Sequence, residues 1–259
     1  SHDPKLAVAV LLVHLDAVLS LDAAVEPYRH PDLPALVDRM VRARKAGRPV
    51  ILMMGAHVIK QGCSRFVCEM LRRGIVTHLA GNGACVIHDY ELARAGATSE
   101  SVADYIRDGR FGLWKETGEI NAIVNRGAAE GLGFGEAVGR AVLGGACEHK
   151  DLSIFATAYE CGTPATVHLG IGYDIVHQHP DFDGAAAGRA SYTDFLIFAE
   201  AVNRIENGVL LSFGTAVMGP EVYLKALSMA RNVAAQERRE IRHFTTAVFD
   251  LIPISGNYR

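Results

Sequence analysis

The sequence has no excess of charge of either sign, no long apolar run and little cysteine, and each shortage excludes something. With 26 Lys and Arg against 29 Asp and Glu, the formal net charge is −3. No basic patch with interleaved aromatic residues is present, so the electrostatic footprint of a nucleic-acid binder is missing and no nucleic-acid partner is expected. No stretch is long enough to cross a bilayer: Leu6 to Leu19 is shorter, and His14 and Asp16 interrupt it, so no membrane is expected as a partner either. The same stretch lacks the basic start and small-residue cleavage pattern of a signal peptide, which makes the cytoplasm the default location. The five cysteines, Cys63, Cys68, Cys85, Cys147 and Cys161, form no C-x-x-C pair. In a chain large enough to bury its own core they read as reduced thiols, with Cys85, in a glycine-rich loop, the one thiol to test for reactivity. Also missing are G-x-S-x-G, H-E-x-x-H, the Walker lysine loop and G-x-G-x-x-G, which argues against serine hydrolases, zincins, P-loop ATPases and ordinary dinucleotide dehydrogenases.

What is present is an alternation of buried strands, glycine-bearing loops and helices, in a chain that is 49% hydrophobic with 26 glycines. Pro49 to Met54 reads as a buried strand, Gly55 to Gly62 as a loop and Ser64 to Arg73 as a helix. After Gly74 the plan repeats: Ile75 to Ala80 as strand, Gly81-Asn82-Gly83-Ala84 as loop, and a helix near Ile87 to Arg94. Pro164 to Leu169, Val209 to Phe213 and Phe244 to Asp250 supply three more strands. Such units favour a parallel sheet with ligands at the carboxyl ends of its strands. That places His57, Lys60, Asn82, His88, Asp89 and Glu91 at or just beyond a candidate edge. No linker or repeat divides the chain, so residues 1–259 read as a single α/β domain, with 1–48 an N-terminal extension and first helices.

Glu119 to Gly145 is ambiguous. Gly131-Leu-Gly133-Phe-Gly135 invites a phosphate-loop reading, but no strand leads into it, and close helix packing is the favoured interpretation. The sharpest constellation is His177-x-His179-x-Asp181-x-Asp183, in the long polar loop from Gly170 to Gly184. Imidazoles and carboxylates on alternate residues of an extended segment could bind a divalent metal, although Pro180 and the Asp183-Gly184 turn weigh against an extended run, and substrate binding by the loop is the stronger reading. Asp174 can hold a cationic amine or brace the loop. His88 beside Asp89 can act as a general base or be a structural histidine. Thr215, Thr245 and Thr246, at late strands, can bond a cofactor or brace the sheet.

The order of these segments resembles the deoxyhypusine synthase family. Ala56-His57-Val-Ile-Lys-Gln-Gly62 is similar in position to that family's nucleotide loop, Asn82-Gly83-Ala84 to Asp89 to its Thr-Ala-Gly-Gly loop, and Thr246-Ala247 to its Thr-Ala strand. Asp174 and His179 fall on matching positions of the segment that follows Pro164, and Val209 to Met218 resembles its glycine-rich strand end. The resemblance implies a Rossmann-like three-layer fold with a mostly parallel central sheet, NAD as cofactor, a polyamine-type substrate and a homo-oligomer, dimer or tetramer. Where the family has Ser and Asn, this chain has Ala56 and His57, and the family's late Gly-Lys segment has no counterpart after Asp250. The expected activity is therefore a transferase-type reaction on a small amine-bearing metabolite rather than on a protein lysine. His88, Asp174 and His179 are its catalytic candidates; His57, Asn82, Gly83, Thr215 and Thr246 are its cofactor contacts. Two alternatives stand beside it: a metal-dependent enzyme using the His177–Asp183 loop, and a non-catalytic metabolite-binding protein.

Overall fold

The computed structural model describes residues 11–250. The first part of the apolar opening, residues 6–10, and the segment after Asp250 lie outside them. In chain order the elements are β1 (Leu11–His14), α1 (Leu33–Lys45), β2 (Val50–Met54), α2 (His57–Lys60), α3 (Ser64–Arg72), β3 (His78–Asn82) and α4 (Gly83–Ala95). They continue with β4 (Ala97–Glu100), α5 (Val102–Tyr105), α6 (Lys115–Ala129), α7 (Phe134–Gly144), α8 (Ile154–Glu160) and β5 (Ala165–His168). The chain closes with α9 (Gly184–Asn203), β6 (Val209–Phe213), α10 (Met218–Gln236) and β7 (Thr245–Phe249).

β5, β3, β2, β6 and β7 form one sheet in that order, every pairing parallel. Numbered by appearance, the sheet reads 3-2-1-4-5, the order of the dinucleotide-binding α/β folds, with its reversal between β2 and β6. β1 and β4 pair antiparallel as a separate ribbon. The central position of β2 explains its composition. Val50, Leu52 and Met54 enter the core shared with α3, α4 and α8, while Ile51 and Met53 pack with α9 and α10. A strand covered on both faces has no polar side, so Val-Ile-Leu-Met-Met is the pattern required. Phe155 and Phe198, 1% and 0% exposed, anchor the two sides, each contributing roughly 1.5–3 kcal/mol by burial.

Helix ends follow the capping chemistry. The side chains of Asn82, Ser153 and Asp183 accept backbone N–H bonds at the starts of α4, α8 and α9. α9 begins at Gly184, where Asp183 caps an Ala/Gly-rich first turn that carries little periodic apolar signal. The ambiguous Glu119–Gly145 stretch is two helices packed at close range. A Cβ on Gly127 would stand 2.4 Å from Ala137 Cβ, and one on Gly135 would stand 2.0 Å from the Ala165 carbonyl oxygen. These glycines serve packing, as the missing strand implied. Asp194 of α9 fastens this region to the sheet edge: its Oδ2 accepts from Gly135 N at 3.0 Å and Val167 N at 2.7 Å. Burial raises its carboxyl to about 7 despite these donors.

Candidate functional site

The reversal of strand order opens the sheet at the carboxyl ends of β2 and β6. Gly55 N–H donates to Phe213 O at 2.9 Å there, and a Cβ on Gly55 would stand 2.2 Å from Gly214 O. Gly55 can come this close only because it carries no side chain, while Gly214 meets the demand of a left-handed backbone, φ +59°. Between the ends of β2, β3 and β5 and the start of α10 lies a cleft lined by Met54, Gly81, Asn82, His168, Thr215 and Gly219, among others. It is narrow, a cavity of about 10 Å³.

Of the residues picked from the sequence, Asn82 and Thr215 line this cleft and Gly83 adjoins it. Asn82 Oδ1 caps α4 by accepting from Cys85 N at 3.1 Å. Thr215 Oγ1 accepts from Gly219 N at 3.1 Å, ordering the first turn of α10. Asp174 comes to the same helix start: its Oδ2 is 2.0 Å from where a Gly83 Cβ would be, so only glycine admits it. The carboxylate also takes the N–H of His177, whose Nδ1 accepts from Gly172 N and Asp174 N at 3.0 and 3.2 Å. Burial raises Asp174 to about 6. His177 Nε2 has no hydrogen-bond partner and lies 4.0 Å from Asp174 Oδ2.

Other candidates are placed elsewhere. His57 is exposed at the start of α2. His88 faces β4, its Nδ1 2.7 Å from Thr98 Oγ1, in a buried network that joins Thr98 and Thr117 to Glu91. Burial, with Lys60 and His57 adding to it, lowers His88 to about 4, so the ring is neutral and engaged away from the cleft. His179 Nε2 donates to Gly112 O at 2.8 Å, which pins its loop to the segment before α6. Thr246 is exposed near the amino-terminal end of the edge strand β7, opposite Leu210, so the strand's length separates this expected cofactor contact from the carboxyl edge. Asp89 accepts from Ser153 Oγ at 2.5 Å and Ile154 N at 2.7 Å, and burial raises it to about 7.

The divalent-metal alternative meets a direct obstacle. His177, His179 and Asp183 turn to separate local partners, Asp183 as the cap of α9, while Asp181 Oδ1 accepts from Asn121 Nδ2 at 3.1 Å. Among the described residues no three His, Cys, Asp or Glu side chains gather as a metal-binding set. The 3-10 turn at Ile175–Gln178 breaks the extended geometry that an alternate-residue site needs. Cys85 is also reassigned. It is fully buried, its Sγ donates to Met54 O at 3.4 Å, and burial pushes the thiol up to about 12. A thiol so held is not a nucleophile at neutral pH. All five cysteines are unpaired.

The residue that sequence reading missed is His168. It ends β5 opposite Asn82, is 6% exposed and lines the cleft. Thr166 Oγ1 is 3.2 Å from its Nε2, and Phe198 meets its ring edge-on at 5.2 Å. Burial lowers it to about 4. The available signal was periodic: Thr166 and His168 are polar residues two apart in a strand whose other side chains are apolar.

No protein-family model matches the chain, and no curated protein matches it. Among solved structures it is similar to ArgZ, an arginine dihydrolase from the ornithine–ammonia cycle in cyanobacteria, at 18% identity and a TM-score of 0.48, over 75% of this chain and 26% of that one. It is similar also to a LOR/SDH protein from Methanococcus maripaludis S2, at 14% identity and 0.46, over 90% and 69%. A third is AgrE in a ternary complex with ornithine and NAD+, at 13% and 0.44, over 82% and 35%. The chain spans about a quarter of the length of ArgZ. None of the three is a deoxyhypusine synthase.

Proposed function

We propose that this chain binds NAD at the carboxyl edge of its sheet and acts on a small amine-bearing metabolite. The observation that carries the reading is the 3-2-1-4-5 strand order, with glycines at both strand ends of the reversal, where the backbones of Gly55 and Gly214 meet. The residues fit a dinucleotide in kind. Gly81 and Gly219 line the cleft without side chains, and Asn82 and Thr215 stand on its walls at the starts of α4 and α10. Asp174 would receive the substrate's ammonium, which also favours the charged form of a carboxylate that burial alone holds near 6. NAD when bound supplies a hydride acceptor. His168, neutral at working pH and facing the cleft, is the proton-exchanging group, a role the sequence had pointed to in His88 or His179. Assembly as a homo-oligomer belongs to the same reading, since Val37 and Val41, one turn apart on α1, are 55% and 45% exposed.

Thermal unfolding with and without NAD+ tests the cofactor. At ~100 times its dissociation constant the ligand adds roughly 2.7 kcal/mol. A saturable rise in midpoint, reduced in Thr215→Val, is the expected result. An unchanged midpoint at millimolar NAD+ removes the reading.

A further inference from the structure

His168 is the end of a longer arrangement. His78, the first residue of β3, is 2% exposed and places Nε2 3.0 Å from Thr166 Oγ1; the same oxygen is 3.2 Å from His168 Nε2. Both rings meet Phe198 edge-on, at 5.5 and 5.2 Å between centroids, so one aromatic side chain holds the pair in place. The two ends of the chain face different spaces. His168 lines the cleft at the carboxyl edge. His78 lines a cavity of about 530 Å³ at the amino-terminal edge, between the starts of β2, β3 and β5 and the second half of α9, with Arg44, Arg48 and Arg204 around it.

We propose that His78, Thr166 and His168 form a proton path along the α9 face of the sheet, from the amino-terminal cavity to the cleft, with His168 the group that exchanges a proton with a ligand there. That exchange rests on the function proposed above; the path itself does not. In one resting state His78 carries its proton on Nε2 and donates to Thr166 Oγ1, the Thr166 hydroxyl donates to His168 Nε2, and His168 carries its proton on Nδ1. A proton arriving at His78 Nδ1 sends the Nε2 proton to Thr166 Oγ1. The Thr166 proton passes to His168 Nε2, and the Nδ1 proton of His168 leaves into the cleft. One proton crosses, no charge remains, and both rings end in the opposite tautomer. The reverse sequence carries away a proton released in the cleft and restores the first state. Burial lowers His78 to about 3 and His168 to about 4, so a doubly protonated ring is a transient and not a resting species.

A competing arrangement uses the same atoms. Thr166 Oγ1 is also 3.4 Å from Leu79 O. If the hydroxyl donates there, both rings must donate Nε2–H to the threonine oxygen, and the chain is a dead end. Ring ¹⁵N chemical shifts of the full chain, assigned with His78→Gln and His168→Gln, separate the two. The path predicts opposite tautomers, one ring protonated at Nε2 and the other at Nδ1, kept in Thr166→Ser and uncoupled in Thr166→Val. Nε2–H on both rings of the wild type overturns it. Titration with NAD+ then reads the transmission. Both rings should shift in wild type and Thr166→Ser, but only His168 in Thr166→Val. An equal His78 shift in Thr166→Val also refutes the path. If NAD+ moves neither ring, the cofactor reading fails, while the tautomer result still decides the path.

Discussion

Alanine in place of Gly55 would put a Cβ 2.2 Å from the Gly214 carbonyl oxygen and 3.1 Å from its carbon. Both obstructing atoms are backbone, so no rotamer change relieves the overlap. The ends of β2 and β6 must separate by about an ångström, and the bond from Gly55 N to Phe213 O, 2.9 Å long, is the one that stretches. Overpacking of this kind costs about 1–3 kcal/mol, and the lost hydrogen bond adds about 1 kcal/mol. Lower entropy of the unfolded chain returns about 0.4–1 kcal/mol. The net expectation is destabilisation of about 1–3.5 kcal/mol, which in a domain of this size lowers the unfolding midpoint by roughly 2–14 °C. Because Thr215 follows directly on Gly214, the same shift should weaken NAD+ binding. Calorimetry on Gly55→Ala, with Gly188→Ala as the control, is the assay. Gly188 lies inside α9 with nothing within 4 Å of its added Cβ, so that change should stabilise by about 0.5–1 kcal/mol through helix propensity. If the two variants shift the midpoint in the same direction, the close-approach argument is refuted.

Asp89, raised to about 7 by burial, binds its proton more tightly folded than unfolded, so its contribution to stability is fully present below about pH 4 and is lost as pH rises through 7. His78 and His168, both lowered, act in the opposite sense, so the difference between wild type and Asp89→Asn isolates the carboxylate. Urea midpoints at pH 5 and 8 should show wild type losing up to a few kcal/mol relative to the variant; parallel profiles would mean the group is ionised throughout. Native thiol labelling should modify the exposed Cys161 first and leave Cys85 and Cys68 untouched until unfolding, and fast labelling at Cys85 would contradict its place in the core. Asp174→Asn should keep the fold, since an amide oxygen can still cap the 3-10 turn, and should lose affinity for amine-bearing ligands in calorimetric titration. Unchanged amine affinity would remove Asp174 from the site.

Strand identity was open to sequence reading because a centrally placed parallel strand must be apolar on both faces; Val50–Met54 and Val209–Phe213 needed no tertiary information. Asn82 and Thr215 were legible for the same local reason, since each sits where a strand gives way to a helix. The parallel α/β class follows from that alternation. The strand order does not, because it depends on which side each crossover returns, and that order is what locates the cleft. Two kinds of residue escaped. Strand positions such as His78, Thr166 and His168 carry no motif, and the register of β3 against β5 alone brings them into line. Loop positions with a strong motif misled in the other direction: His177, His179, Asp181 and Asp183 share a spacing, but a 3-10 turn and a helix cap send each to its own partner. Sequence periodicity determines which residues leave water; only the folded register and loop path decide which polar groups end up within 3 Å of one another.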